Sequence, residues 1–468
     1  MGWGLDTARR CDLLAAALSH VQKFPAADYH LVDGPAALRS MASGNRPAFG
    51  IGKMAYSHYK RRAKVADELG TVVIMFDRSD KMPAARAEVA KARARAAAST
   101  KAPSESDARA ATIYRLGVHS DTKKEITWQE MFSTSKTKAI AFQLIIKSIK
   151  LAVINSANPD DPQTVIIQSP ISSEPLWIFP FGTRHGIESL LTTSQYGEAE
   201  GQIAMLVNFI GRKAKETGAP IPVINVHTID TDSILQVGIS PTSGSKYSNV
   251  NIVIAKRYAV TNIAGPHRPD QICLSAITAR RQLVAASEHA KKFQLPEPKE
   301  SRVWEVVSCS DIGNEIIPGG KNRKASALFW FLCAGGVDYC KGLSRFGWPQ
   351  DHMVSKGLDR HVSIIHKIEG TRNEWSFDIT ELATILKSTR TKTKKDTNLK
   401  EFCMELNNLI YCLRYYLWQG CDKTPCAGPC VVSYVWTGNA ETKTITAWLR
   451  RVAESGPKVL TLRDDSDF

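Results

Sequence analysis

The stretch 71–77, TVVIMFD, decides the fold. Six residues dominated by β-branched and bulky apolar side chains run without a polar break, then stop at Asp77. A run of that length suits a strand buried on both faces and is too short for a helix. The same pattern recurs upstream and downstream. LVDG at 31–34 brings an apolar run to Asp33, and PVINV at 222–226 leads to Asp230 and Asp232. Strands of this continuous apolar kind belong to parallel sheets covered on both faces. Acids placed just past their ends face the crevice where open α/β sheets bind ligands.

Further from the centre, the chain reads as alternating helix and strand. Helices are predicted over Asp6–Val21, Gly50–Leu69, 84–99, Trp128–Val153, from Glu198 onward, Lys324–Ala334 and Leu399–Trp418. Strands are predicted at Thr164–Gln168, Asn251–Val260 and Val303–Ser308. In the helix after Glu198, Ile203, Leu206, Val207 and Ile210 form one apolar stripe. Residues 98–110 and 238–249 read as linker and loop, and the Pro170–Pro180 stretch as a loop. The alternation argues for an α/β fold with a mainly parallel central sheet flanked by helices, and a mostly helical C-terminal region. No internal repeat is present.

The chain has 468 residues, 43% of them apolar, which supports a real core and excludes a disordered chain. Its 61 Lys and Arg against 46 Asp and Glu leave a net charge of +15, the sign expected for a polyanionic partner. No apolar run reaches bilayer length; Ala139–Val153 is broken by Lys147 and Lys150, so no membrane is expected as partner. The first residues lack the apolar stretch of a signal peptide. The 10 cysteines lie mostly alone in apolar segments, which fits a reducing, intracellular compartment, nuclear or cytoplasmic. Cys412, Cys421, Cys426 and Cys430 do not follow a standard zinc spacing and read as ordinary thiols.

Seven acids carry the chemistry: Asp33, Asp77, Glu198, Glu200, Asp230, Asp232 and Asp338. Asp230 and Asp232 stand two apart just past a strand, so they face the same way. Glu198 and Glu200 open a helix, where the dipole also favours negative charge and capping is the plainer explanation. Gathered together, so many carboxylates repel one another unless divalent cations neutralise them. Oxygen ligands suit Mg²⁺ or Mn²⁺, and a pair of such ions serves phosphodiester cleavage.

These motifs, in this order, resemble the flap endonuclease/XPG-type structure-specific nucleases of the PIN-like superfamily. MGWGL at the start, LVDGPAAL, VVIMFDRSDKMPAARAEVAKARARA, SQYGEAEGQIAMLV, HTIDTDSILQVG and LCAGGVDYCKGLSRFGW are each similar to a family segment over residues 1–350. The resemblance implies a PIN-like, Rossmann-like sheet with a helical arch insertion. It also implies that the seven acids hold two Mg²⁺ ions (Mn²⁺ as substitute) and hydrolyse phosphodiesters in flapped or branched DNA, as in DNA repair. Lys91 and Arg95, four apart on one helix face, would steer the scissile phosphate. Arg86, Arg93, Lys53, Lys60 and Arg61 are further nucleic-acid contacts.

The chain also departs from the family. Arg78 stands where the family has Gly, and Gly342–Trp348 only echoes its duplex-gripping hairpin. No sliding-clamp motif is found near the C-terminus. These departures point to a divergent branch, such as large DNA viruses carry; that setting adds virion association as a location. They leave open an RNA endonuclease of the same fold acting in mRNA decay, or a non-catalytic structural protein. The expected organisation is an N-terminal nuclease segment (1–97), an arch region (98–185), an internal nuclease segment (186–350) and a helical C-terminal extension (351–468).

Overall fold

In a computed structural model, the described residues are 18–21, 26–41, 51–53, 55–57, 70–78, 103–114, 128–131, 134–160, 163–170, 176–182, 186–193, 198–230, 233, 237, 249–261, 271–274, 287–288, 291–292, 299–309, 316–317, 321–322, 365–367, 375–378, 430–436 and 444–451. Nine strands make one sheet: β1 (Leu18–Val21), β2 (Tyr29–Asp33), β3 (Thr71–Met75), β4 (Val165–Gln168), β5 (Leu176–Phe179), β6 (Val223–His227), β7 (Asn249–Thr261), β8 (Gln271–Leu274) and β9 (Lys299–Ser308). Their order is β1-β9-β7-β6-β2-β3-β4-β5, with β8 paired to β7. The five central strands, β7-β6-β2-β3-β4, are parallel. The outer strands β5, β9, β1 and β8 pair antiparallel. The mixed α/β class and the parallel centre therefore agree with the sequence reading.

The winding order positions the site. The chain enters the middle of the sheet at β2, steps outward through β3 and β4, then returns to the other side of β2 as β6 and β7. The direction reverses between β2 and β6, and in open α/β sheets the C-terminal strand ends at such a switch point are where ligands bind.

Helices flank this core: α1 (Gly34–Met41), α2 (Glu105–Tyr114), α3 (Trp128–Met131), α4 (Ser135–Ser156), α5 (Glu188–Thr193) and α6 (Ala199–Thr217). On one sheet face Val32, Val72, Ile74, Phe76, Val165 and Ile167 pack against Ile145, Ile149 and Val153 of α4. α6 lies against β2 and β3 and buries Ile203, Leu206 and Val207. Gly218, with φ +67°, closes α6 in the left-handed conformation that glycine adopts at little cost. At Gly34 a Cβ would stand 2.8 Å from the Met75 carbonyl oxygen, so the β2–α1 turn presses directly on the end of β3.

Several elements differ from the sequence reading. Leu18–Val21, expected at the end of a helix, is a strand because it pairs with Trp304–Val307 of β9. Residues 105–110, read as linker, begin α2: Ser104 Oγ accepts from the Asp107 amide at 3.1 Å, and Glu105 and Asp107 complement the helix dipole. The single helix Trp128–Val153 is two, divided at Thr134, whose side chain caps α4 by accepting from the Thr137 amide. β5 lies inside the stretch read as a loop, bounded by Pro175 and Pro180. β8 has no counterpart in the sequence reading. By length and composition α4 is apolar enough to cross a membrane, unlike the reading that no segment is; it packs one side on the sheet.

The C-terminal region departs most. A small hairpin, β10 (Ile316–Ile317) with β11 (Lys321–Asn322), precedes it in sequence. The described residues of 351–468 are strands, not helices: β12 (Ile365–Lys367), β13 (Trp375–Asp378), β14 (Cys430–Trp436) and β15 (Thr444–Arg451) form an antiparallel sheet ordered β12-β13-β15-β14. β-Branched and aromatic residues in CVVSYVW and TITAWLRR favour strands, and the register joins Tyr434 to Ala447. The predicted helices Lys324–Ala334 and Leu399–Trp418 lie outside the described residues.

Candidate metal centre at the sheet switch point

Asp33 is the last residue of β2 and is buried. Its Oδ1 accepts the Ala36 backbone N–H at 3.0 Å, capping α1. Its Oδ2 accepts the Thr228 hydroxyl at 3.0 Å. Thr228 follows β6 directly, so this bond ties the two strands of the switch point together. The same hydroxyl oxygen accepts the Asp230 N–H at 3.1 Å and sets the turn that carries Asp230.

Asp77 lies two residues past β3 on the other side of β2. Its Oδ1 accepts the Ala199 N–H at 3.2 Å, at the first residue of α6. Gln202 Nε2, one turn on, donates to the Phe76 carbonyl at 3.4 Å. These bonds fix the start of α6 to the end of β3. They bring buried Glu198 and Glu200 to the same end of the sheet. Glu198 is the N-cap residue by position, but its side chain makes no capping hydrogen bond, so capping does not explain it.

The electrostatics follow from this placement. Burial pushes the Asp33 carboxyl up from an ordinary 3.8 to about 7. The charges of Asp77 and Asp230 push it the same way, against the lowering effect of its bonds to Ala36 and Thr228. Three acids from three strand ends, far apart in sequence, thus act on one another. Five of the seven predicted acids occupy one edge of the sheet. Asp232 and Asp338 lie outside the described residues, as do Lys60, Arg61, Arg86, Lys91, Arg93 and Arg95. Lys53 is exposed in a helical stretch beside Gly52, which abuts Ile145 and Ser148 of α4.

Among the described residues, no three His, Cys, Asp or Glu side chains stand at metal-ligand spacing. The donor set nevertheless fits a hard divalent cation. It is made of carboxylates, buried, mutually repelling, and held by the backbone and by a hydroxyl. Each engaged oxygen keeps a second lone pair for a metal.

Sequence reasoning missed Thr228 and Gln202. A threonine after a strand and a glutamine in an apolar helix stripe carry no signal until the pairing is known. Arg78, read only as a departure, is buried directly after Asp77. Compared with known proteins, the chain matches no family model and no curated protein sequence.

Proposed function

We propose that this protein is a divalent-metal-dependent nuclease that hydrolyses phosphodiesters in flapped or branched DNA by a two-metal-ion mechanism. The reading includes a PIN-like form of the sheet with an arch over the crevice. One observation carries it: Asp33 is buried at the switch point with Asp77 and Asp230 at the neighbouring strand ends, and burial first, then those two charges, pushes its carboxyl up to about 7. Such an arrangement is unfavourable for packing alone and becomes favourable when cations enter. The net charge of +15 supports a polyanionic substrate.

In this mechanism Asp33, Asp77, Glu198, Glu200 and Asp230, with Asp232 and Asp338, would hold two Mg²⁺ ions. The ions when bound supply charge neutralisation and an activated water. The protein holds the ligands still. Thr228 orients Asp33 through its hydroxyl, and the Ala199 amide orients Asp77. Arg78 adds a fixed positive charge at the end of β3, and Lys91 and Arg95 would steer the scissile phosphate toward the crevice.

The test is a gel assay of labelled 5′-flap DNA, blunt duplex and single-stranded RNA, with Mg²⁺ or EDTA. Mg²⁺-dependent flap cleavage is expected, falling by about a hundredfold or more in Asp77→Asn. Equal cleavage by wild type and variant would refute the proposal. Equal rates on plain RNA and flap DNA would move the substrate to RNA.

A further inference from the structure

The outer edge of the sheet, away from the acids, carries a different constellation. Trp177 and Phe179 sit two apart on β5, and so on one face, with ring centroids 6.0 Å apart and planes within 16°. Phe181 meets both edge-on, at 5.9 Å from Trp177 and 5.8 Å from Phe179. Trp177 and Phe179 are half-buried against the core, but Phe181 is 69% exposed. Lys150 of α4 holds its ammonium 5.8 Å from the Trp177 ring centroid. On the same helix as Lys150, Leu151 and Ile154 are 40% and 43% exposed.

We propose that this surface is a stacking platform for an unpaired nucleic-acid strand leading away from the acid-bearing end of the sheet. Three observations choose that occupant. First, aromatic rings interleaved with cations are what single strands need: bases stack on the rings and phosphates meet the ammonium groups. Lys150 and, one turn earlier, Lys147 are the cations at this end of α4, which carries no acid; Lys136, at its other end, is paired with Glu105 at 3.4 Å. Second, β5 is only four residues long and is followed by Pro180, which donates no backbone hydrogen bond. Such an edge is poorly suited to strand addition by another protein. Third, Trp177 pairs with Ile167, one residue from the end of β4, and Phe179 pairs with Val165 at its start, so the row of rings begins near the acid-bearing ends of the strands and leads away from them toward Phe181. β5 lies two strands from β3, roughly 10 Å from the strand that delivers Asp77.

This inference rests on the nucleic-acid substrate proposed above, and its test separates the two. Full-length protein in EDTA is titrated into a fluorescein-labelled oligothymidylate and, separately, a blunt duplex, and anisotropy is read. Phe181→Ala leaves the core untouched because the side chain is exposed. It is expected to weaken single-strand binding about tenfold, while duplex affinity stays within about twofold. Phe181→Trp should restore binding. Unchanged single-strand affinity in Phe181→Ala, or equal weakening toward duplex, overturns the platform. Loss of a dimer on gel filtration with unchanged affinity overturns it in favour of self-association. If wild type cleaves flaps with Mg²⁺ but Phe181→Ala binds like wild type, only this inference fails. If wild type neither binds nor cleaves any nucleic acid, the nuclease proposal fails with it.

Discussion

Replacing Asp33 by Asn should remove a pH dependence of stability that the acid cluster imposes. The folded protein raises the Asp33 carboxyl from 3.8 to about 7, first through burial and then through Asp77 and Asp230. Below the lower value the group is protonated folded and unfolded, and contributes nothing. Between the two, only the folded state holds the proton, so stability falls as pH rises. Above about 7 the penalty is complete. A shift of about 3 units at about 1.4 kcal/mol each comes to roughly 4 kcal/mol. The amide introduced by Asp33→Asn stays neutral throughout. Its carbonyl still accepts from the Ala36 amide, but its NH₂ cannot accept the Thr228 hydroxyl, a loss of about 1 kcal/mol. Without metal, Asp33→Asn should therefore be about 3 kcal/mol more stable than wild type at pH 8 and about 1 kcal/mol less stable at pH 4. Urea denaturation in EDTA at several pH values measures the difference, and titrations common to both proteins cancel. Millimolar Mg²⁺ should close the gap at pH 8 by stabilising wild type alone. A wild-type-minus-variant difference that is flat with pH would refute the argument.

Thr228→Val removes one hydroxyl that serves both Asp33 and Asp230. Because that hydroxyl lowers the proton affinity of Asp33, the acidic limb of the pH–activity profile should move to higher pH. Stability should drop by about 1–3 kcal/mol, and an unmoved profile would count against Thr228 as an orienting residue. Gly34→Ala places a methyl 2.8 Å from both the Met75 oxygen and Phe76 Cε1. A loss of about 1–3 kcal/mol by denaturant titration is expected, with reduced flap cleavage as β2 and β3 separate; wild-type stability would show that the turn yields freely.

Legibility in the sequence follows burial. β3 and α6 are readable because each is buried widely enough to force an unbroken apolar run or a full stripe, and β2 and β6 because short apolar runs surround their buried His30 and Asn225. The edges are not. β1 and β5 are four residues each, half exposed, and owe their conformation to β9 and β4 rather than to local preference. α2 escapes because Ser104 and Asp107 look like linker composition until they are seen as a cap. In the C-terminal region, CVVSYVW and TITAWLRR have the β-branched and aromatic content of strands, but the helix predicted over Leu399–Trp418 draws the reading of the region as a whole toward helix. For the site, the acids are visible because strand ends are visible. Their mutual placement is not, since it depends on which strands become neighbours.

That neighbour relation explains why Asp33 dominates. β2 is the first strand of the parallel set in sequence and the central one in space. β3 and β6 therefore flank it, about 4.8 Å away on either side. An acid ending β2 meets the charge of Asp77 from one side and that of Asp230 from the other. Had the strands been laid down in simple succession, Asp230 would stand several strands away and Asp33 would feel Asp77 alone. The β2–β6 seam is polar along its length too. His30 and His227 hydrogen-bond at 3.1 Å, both buried, and Asn251 donates to Asn225 at 3.3 Å on the adjoining strand. Buried polar groups contribute little to stability and are held by specific bonds rather than by packing. The seam is thus fixed by directional contacts as well as by apolar burial, which is what a carboxylate cluster needs if its ligands are to keep their spacing when the charge between them changes.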